Sequence, residues 1–145
     1  MEIRQIDSKD TYKIRQKILR PDGEINECKF DGDDKEVTFH LGAFIDENLC
    51  SVASFYLDTH PDIKDEYQFR LRGMATLKDF QSKGLSRALL RTAFPLIKKN
   101  HVNTLWCNAR KSAIGFYEKV GFETISAEFD IPTIGPHVLM KKNID

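Results

Sequence analysis

The amino-acid sequence predicts a single α/β domain in which helices flank a mixed sheet. Segments with the alternating apolar pattern of strands are separated by segments with helical spacing of apolar residues. Their order is strand, helix, strands, helix, strand, helix, strands, which is typical of this fold class. The chain has 145 residues, of which 41% are apolar, the size and composition of one globular domain with a sizeable core. We therefore expect residues 1–145 to form one domain.

The first third of the chain contains one strand, one helix and a polar connection. Residues 1–7 are expected to form an edge strand. A helix follows over about residues 9–20, with apolar residues on one face and either Asp7 or Ser8 as its cap. From there to Glu36 the chain is polar and acidic, which indicates a loop or a short irregular helix.

Three strands are predicted in the middle of the chain. Apolar and polar side chains alternate from Val37 to Ile45, with the period of a strand. Residues 50–58 are its hairpin partner across a polar turn, and residues 68–76 form the next strand. Gly73 permits a bulge that would spread this last strand from its neighbour.

The second half of the chain is predicted to add two helices and three strands. A helix starts at about Lys83, and Pro95 should kink it or end it early because proline lacks the N–H that a helix needs. The remaining elements are a buried strand at Thr104–Cys107, a helix at 112–120, and closing strands at 122–131 and 136–142.

Composition excludes several classes of function. The 22 basic and 22 acidic residues cancel, so nothing attracts the chain generally to nucleic acid or to membranes. No apolar run approaches the roughly 18 residues of a membrane helix, and the N-terminus lacks a signal-peptide core. Cys28, Cys50 and Cys107 are odd in number and widely spaced, so we expect free thiols in a reducing cytoplasm. No cysteine or histidine cluster is suited to hold a metal.

A candidate anion site lies where the strand at 68–76 leads into the next helix. The connecting turn is short-chained and contains a glycine. The N–H groups at such a helix start are free to bind an anion, and the helix dipole adds to the attraction. Gly84 keeps side chains away from that anion, and Lys83 adds a positive charge. The residues expected to bind are Gln81, Ser82, Lys83, Gly84, Leu85 and Ser86. An ordinary helix start is the alternative interpretation.

A second segment supplies a candidate catalytic group. The run from Asn108 to Arg110 ends a strand, and a short helix after it carries Tyr117 on its apolar side, next to Phe116. A phosphate-binding turn and a positioned phenol together suggest group transfer from a phosphorylated carrier. The alternative is that Tyr117 is a core aromatic residue, because apolar residues share its helical face.

Together these two segments resemble the GNAT superfamily of N-acetyltransferases. The pyrophosphate signature of that family is Gln or Arg, two variable residues, Gly, one variable residue, then Gly or Ala. Gln81, Gly84 and Ser86 fill these places, and Ser86 departs from the pattern. The run at 116–122 matches the second conserved region of the family. Residues 19–21 and 136–140 further resemble a bacterial subgroup of small acetyltransferases.

The resemblance implies a mixed, mostly antiparallel sheet flanked by helices, with acetyl-CoA as co-substrate. Backbone groups of Met74, Ala75 and Thr76 would bind the pantetheine arm, and one N–H would face the thioester oxygen; Thr76 stands where the family usually has Val. Tyr117 would donate a proton to the leaving thiolate, and Phe116 would pack against the sheet or the pantetheine.

Two other positions have several open roles. The family often has an Asn three residues before the alanine that corresponds to Ala113, and Arg110 holds that place here. Asn108 substitutes for that residue, caps the following helix, or simply ends the strand. Arg110 is a candidate donor to the cofactor phosphates.

The base that deprotonates the amine is not assigned by the sequence. His40, His137 and the acidic residues of the 22–36 segment are the candidates. As a hypothesis, that acidic segment lies near the acceptor and favours a cationic amine or a polyamine.

The sequence thus predicts a cytoplasmic, acetyl-CoA-dependent N-acetyltransferase that acts by direct attack in a ternary complex. Its acceptor would be a small-molecule or peptide amine, and the resemblance admits a homodimer. A non-catalytic acyl-CoA-binding module is the alternative. A nucleotide-binding protein is disfavoured, because neither Gly-x-Gly-x-x-Gly nor Gly-x-x-x-x-Gly-Lys-Ser/Thr occurs.

Overall fold

A computed structural model describes all residues from Met1 to Asp145 and contains one eight-stranded sheet. The strands run in the order β1-β2-β3-β4-β5-β8-β6, and β7 also pairs with β8. All neighbours are antiparallel except β4 and β5. The strands are β1 (Glu2–Ile6), β2 (Phe39–Ile45), β3 (Asn48–Leu57), β4 (Phe69–Thr76), β5 (Thr104–Arg110), β6 (Glu123–Thr124), β7 (Phe129–Ile131) and β8 (Gly135–Asn143). The predicted α/β class with a mostly antiparallel sheet is confirmed.

Three α-helices flank the sheet: α1 (Ser8–Ile14), α2 (Leu85–Lys99) and α3 (Ile114–Lys119). A π-helical segment, Arg15–Leu19, extends α1, and 3₁₀ turns lie at Ile25–Cys28, Lys78–Phe80 and Lys111–Ala113. None of these helices combines the length and the apolar character needed to cross a bilayer.

The core lies between the sheet and helix α2. This helix buries Leu89, Leu90 and Ile97 against Phe55 and Leu105 of the sheet. A fully buried leucine or phenylalanine typically contributes about 1.5–3 kcal/mol, so this face supplies much of the stability. Helix α1 packs on the opposite face.

Helix α2 differs from its prediction at both ends. It begins at Leu85, because Ser82 and Gly84 have φ angles of 62° and 84° that no helix contains. It continues past Pro95 to Lys99, so of the two predicted outcomes, a kink or an early end, the early end is wrong. Proline removes one hydrogen bond, but the buried apolar face of the helix continues as far as Ile97 and holds the last turn in place.

The segment predicted as one strand at 122–131 is two short strands. Between β6 and β7 the chain leaves the regular ladder, and the hydroxyl of Ser126 accepts a hydrogen bond of 2.8 Å from the N–H of Leu139. A side chain thus replaces a backbone acceptor there. The strand predicted at Thr104–Cys107 instead continues to Arg110, since β8 pairs with it over that length.

A bulge and a gap in the sheet create a cleft between β4 and β5. Gly73 has a φ of 64°, and one residue of β3 there faces two of β4, as predicted for this glycine. The parallel pairing of β4 with β5 ends at Arg70 and Trp106. Beyond that point β4 has no partner on its β5 side, while β5 continues beside β8.

A buried ion pair ties the long connection before β2 to the sheet. The guanidinium of Arg15 is fully buried and donates to the Asp33 carboxylate at 2.7 and 3.1 Å. Arg15 also donates to the Cys28 carbonyl at 2.8 Å, and the Tyr56 hydroxyl donates to Asp33 at 2.5 Å. Burial alone would raise the pKa of Asp33, but the hydrogen bonds from Arg15 and Tyr56 outweigh it and lower that pKa.

We expect Asp33→Asn to destabilise the protein by about 3–5 kcal/mol, because it leaves the Arg15 charge buried without a counter-charge. Urea unfolding at pH 7 measures this difference. Asp31→Asn is the matched control, since Asp31 is exposed and has no ion pair; its change should stay within about 0.5 kcal/mol.

The same comparison has a pH dependence. Because the folded-state pKa of Asp33 is lowered, the ionised carboxylate stabilises the folded protein fully above the unfolded pKa of about 3.9, and this stabilisation is lost as the pH falls further. The difference in the free energy of unfolding between wild type and Asp33→Asn should therefore narrow in acid. A constant difference down to acid unfolding would contradict this assignment.

Candidate active site

The gap between β4 and β5 opens into a cavity of about 380 Å³. Two further stretches of the same groove, of about 330 and 470 Å³, continue along the turn before α2. Ser86 lines all three, so they form one continuous cleft from the β4–β5 gap to the start of α2. We call this the cleft.

All but one of the predicted site residues line the cleft. They are Met74, Ala75, Thr76, Gln81, Ser82, Gly84, Leu85, Ser86, Asn108, Arg110, Phe116 and Tyr117. Lys83 is the exception. It is exposed, and its ammonium lies 6.0 Å from the centre of the Phe80 ring. The two sequence segments therefore meet at one place, although their binding and catalytic roles remain predictions.

The turn before α2 presents unpaired N–H groups to the cleft. The backbone N–H groups from Ser82 to Arg87 have no acceptor in the chain. A Cβ atom added to Gly84 would meet no atom within 4 Å, so the space above the turn is open. Such a turn has the donors and the room that a phosphate group requires.

Hydroxyl groups join this turn to the end of β4. The Ser86 hydroxyl lies 3.2 Å from that of Thr76, which lies 2.6 Å from that of Ser51. Gln81 donates from its side chain to the Thr76 carbonyl at 3.0 Å. The two positions that depart from the family pattern, Thr76 and Ser86, are thus hydrogen-bonded to each other and hold the turn against the strand.

Tyr117 lies on α3 with its side chain at the cleft. Its ring packs edge-on to Phe116 and Phe122, with ring centres 5.1 and 5.2 Å away. Burial, together with the neighbouring Cys107 thiol, raises the pKa of Tyr117 well above its ordinary value of 10. The phenol is therefore protonated at every physiological pH and acts as a hydrogen-bond donor.

Cys107 also lines the cleft but is no nucleophile. Burial raises the pKa of its thiol to about 12, so the thiolate is nearly absent at neutral pH. Cys28 and Cys50 are buried and free as well. This agrees with the sequence prediction that the three cysteines are free thiols.

The two candidate histidines have different surroundings. His40 is buried away from the cleft, and both ring nitrogens are occupied, by the Ser54 hydroxyl at 2.6 Å and the Asp33 carbonyl at 2.9 Å. His40 is therefore a structural residue, and its candidacy as a base is withdrawn. His137 lines the cleft, and its Nδ1 donates to the Gly135 carbonyl at 2.7 Å. Since a carbonyl only accepts, Nε2 of the neutral ring retains a free lone pair.

The carboxylates of the acidic segment predicted near the acceptor do not line the cleft. Asp33 is taken up by Arg15, and Asp34 accepts a hydrogen bond of 2.6 Å from the Ser8 hydroxyl. No carboxylate lines the 380 Å³ cavity. The hypothesis of a cationic acceptor held by these acids is therefore wrong, because their charges are paired or lie elsewhere.

Arg70 and Arg72 line the cavity and were missed in the sequence. Both lie on the same face of β4 because their separation of two residues matches the strand period. Their spacing was the available signal, but it does not tell which face of the strand meets a cavity. Phe30, from the acidic segment, also lines the cavity and packs under Arg72.

Comparisons with known proteins agree with this arrangement. The family described as an acetyltransferase (GNAT) domain matches residues 27–144. The uncharacterized N-acetyltransferase YitI of Bacillus subtilis strain 168 is 40% identical over 144 residues, covering 99% of this chain and 97% of YitI. The chain belongs to the GNAT acetyltransferase family. This GNAT protein is accordingly an N-acetyltransferase.

Solved structures share the fold of this GNAT chain at low sequence identity. An aminoglycoside 6′-N-acetyltransferase solved with coenzyme A is 14% identical, with a TM-score of 0.77 and coverage of 100% of this chain and 98% of that one. The ribosomal-protein-S18-alanine N-acetyltransferase of Escherichia coli is 23% identical, with a TM-score of 0.74 and coverage of 99% and 94%. These likenesses concern the fold alone.

The burial of the cysteines predicts that a thiol reagent leaves the folded GNAT protein unlabelled at pH 8. Cys107 has a pKa of about 12 and almost no thiolate, and the other two thiols are inaccessible. Absorbance with a disulfide reagent should show no fast phase, and all three thiols should react in urea. Rapid labelling of one folded-state thiol, mapped to Cys107, would contradict this prediction.

Proposed function

We propose that this protein transfers an acetyl group from acetyl-CoA to a primary amine by direct attack in a ternary complex. The observation that carries the proposal is the cleft itself. It joins a turn with unpaired N–H groups, a strand edge without a partner, and a protonated phenol in one continuous groove. Family membership supports acetyl transfer as the reaction.

The turn before α2 would bind the pyrophosphate of the cofactor. Its N–H groups from Ser82 to Arg87 are unpaired, and charge-assisted hydrogen bonds to phosphate are about twice as strong as neutral ones. The unpaired edge of β4, from Met74 to Thr76, would bind the pantetheine arm as an added strand. A solved structure with this fold contains coenzyme A, which supports this choice of ligand.

The proposed reaction balances without a further reactant. The amine nitrogen attacks the thioester carbon, a C–N bond forms, and the C–S bond breaks. One proton leaves nitrogen, and one proton is gained by sulfur. An N–H at the end of β4 would stabilise the negative charge on the carbonyl oxygen, a contribution of about 3 kcal/mol for one such donor. Holding both reactants in the cleft removes much of the entropic barrier.

Tyr117 would stabilise the leaving sulfur by hydrogen bonding. A CoA thiol has a pKa near 8.5 by analogy with cysteine, below that of the buried phenol. Because Tyr117 is the weaker acid, it keeps its proton and donates a hydrogen bond to the developing thiolate, which takes up its proton from water once it is released. His137 is the proposed base, since its Nε2 is free and the residue lines the same cavity.

We expect Tyr117→Phe to lower kcat by about a hundredfold to a thousandfold, the range for the loss of one hydrogen-bond donor to a charge that develops in the transition state. The Kd of acetyl-CoA, measured by calorimetric titration, should stay within about twofold of wild type, since hydrophobic packing is retained. Because the pKa of Tyr117 is raised well above 10, the wild-type rate should show no loss between pH 8 and pH 10 from phenol ionisation. An unchanged kcat would favour a structural role for Tyr117.

We expect Gly84→Val to weaken acetyl-CoA binding at least tenfold, because a side chain would fill the open space above the turn. The matched control is Gly135→Val. Gly135 also has a positive φ, 116°, with no neighbour near its Cβ position, but it does not line the cleft. Both variants place a β-branched residue at a positive φ, so both carry backbone strain. Calorimetry with acetyl-CoA, and with ATP as control titrant, separates strain from binding; equal losses in both variants would argue against the site.

A further inference from the structure

The part of the cleft at the β4–β5 gap is cationic. Its lining contains four arginines and no aspartate or glutamate, namely Arg20, Arg70, Arg72 and Arg110. The chain as a whole has no net charge, so this concentration is local. An arginine-rich concave site without carboxylates favours an anionic ligand.

Arg72 has no counter-charge. It is half-buried, and its guanidinium makes no hydrogen bond or ion pair with the rest of the chain. Its guanidinium packs 4.5 Å from the centre of the Phe30 ring, which orients it without neutralising it. Burial and the neighbouring Arg70 charge lower the pKa of Arg72. An anion beside Arg72 would stabilise its charge against both the burial and the repulsion by Arg70.

Two further polar groups at the gap lack partners. The Nε of Arg70 is buried with no acceptor, while its only ion pair is at 3.5 Å to Asp58 at the surface. The Oδ1 of Asn108 is buried with no donor. Buried polar atoms are normally hydrogen-bonded, so these atoms indicate where a ligand supplies the missing partners.

Arg72 lies on the opposite side of the Gly73 bulge from the turn that would bind the cofactor phosphates, and only Ser86 of that turn lines the same cavity. It precedes the bulge at Gly73, four strand residues before Thr76, a distance of about 13 Å along β4. The turn lies beyond Thr76, after a further 3₁₀ segment. An anion bound to Arg72 therefore belongs to the second substrate.

We propose that the acceptor amine carries an anionic group, a carboxylate or a phosphate, which Arg72 binds with support from Arg70. The Asn108 Oδ1 and the His137 Nε2 are uncharged acceptors lining the same cavity, and they suit the amine N–H groups. A polyamine finds no carboxylate there. The amine part of this inference rests on the proposed function, whereas the anion site stands on its own geometry.

Calorimetric titration with acetate and with inorganic phosphate tests the anion site directly. Each anion is added to the free protein and to the protein saturated with CoA, for wild type, Arg72→Gln, Arg72→Lys and Arg91→Gln. Arg91 is an exposed arginine of α2 outside the cleft, so its variant controls for net charge. We expect Arg72→Gln to weaken binding about tenfold to a hundredfold, the factor for one lost charged hydrogen bond. Arg72→Lys should recover part of it, and Arg91→Gln should match wild type.

Matched amine pairs test the acceptor. Thiol release from acetyl-CoA is compared for glycine and methylamine, lysine and cadaverine, and O-phosphoethanolamine and ethanolamine. The anionic member of at least one pair should have the higher kcat/KM by about tenfold or more, and Arg72→Gln should bring that ratio toward one. The preferred pair, together with the better anion in calorimetry, distinguishes a carboxylate from a phosphate.

The outcomes separate the two proposals. Acetyl-CoA binding without Arg72-dependent binding of either anion overturns the acceptor inference alone, as does faster turnover of the uncharged or cationic members. Arg72-dependent anion binding without acetyl-CoA binding overturns the proposed function and leaves the anion site standing. If Arg72→Gln and Arg91→Gln weaken anion binding equally, the loss reflects net charge and not a site at Arg72, and the inference is overturned.

Discussion

The parting of β4 from β5 after Arg70 and Trp106 determines where every group of the cleft lies. Gly73 lies in the part of β4 that has left β5, and its positive φ shifts the register of β4 against β3. A Cβ atom at this position would lie 3.1 Å from both Arg15 Nε and the Phe30 ring. The bulge, the buried Arg15–Asp33 pair and the Phe30 platform are therefore packed as one unit, and each restricts the others.

Two arginines share the Phe30 ring and differ in their neutralisation. Arg15 lies 4.1 Å from the ring centre and is neutralised by Asp33, whereas Arg72 lies 4.5 Å from it and has no carboxylate. Burying a charge is tolerated when a counter-charge and hydrogen bonds accompany it. Arg15 has its counter-charge and hydrogen bonds within the chain, and it therefore stabilises the fold. Arg72 has no counter-charge in the chain, so under our proposal a bound anion supplies it. One phenylalanine ring thus contacts both a structural arginine and a ligand-binding arginine.

The sequence predicted the elements and the meeting of the two motifs, because both depend on short-range patterns. Residues 81–86 and the helix with Tyr117 are local signals, and the structure brings them to one cleft. The features that the sequence did not predict depend on contacts between residues that are distant along the chain. Asp33 belongs to a run of acids that reads as a solvated loop, and only the fold brings Arg15, 18 positions earlier, against it. The direction in which Arg72 points likewise follows from the gap beside β4, which no local pattern encodes.

The hydroxyl chain at the end of β4 has a direction. Ser51 donates to the Ala75 carbonyl, which only accepts. The Ser51 oxygen must then accept its bond from Thr76, and Thr76 must accept its bond from Ser86. The single proton of Ser86 is committed inward, so this serine offers the cleft only lone pairs. These lone pairs would repel a phosphate oxygen, whereas they would accept a hydrogen bond from an amide N–H. Under the proposed function, the serine that replaces the family's small residue thus faces the pantetheine amides, and the backbone alone serves the phosphates.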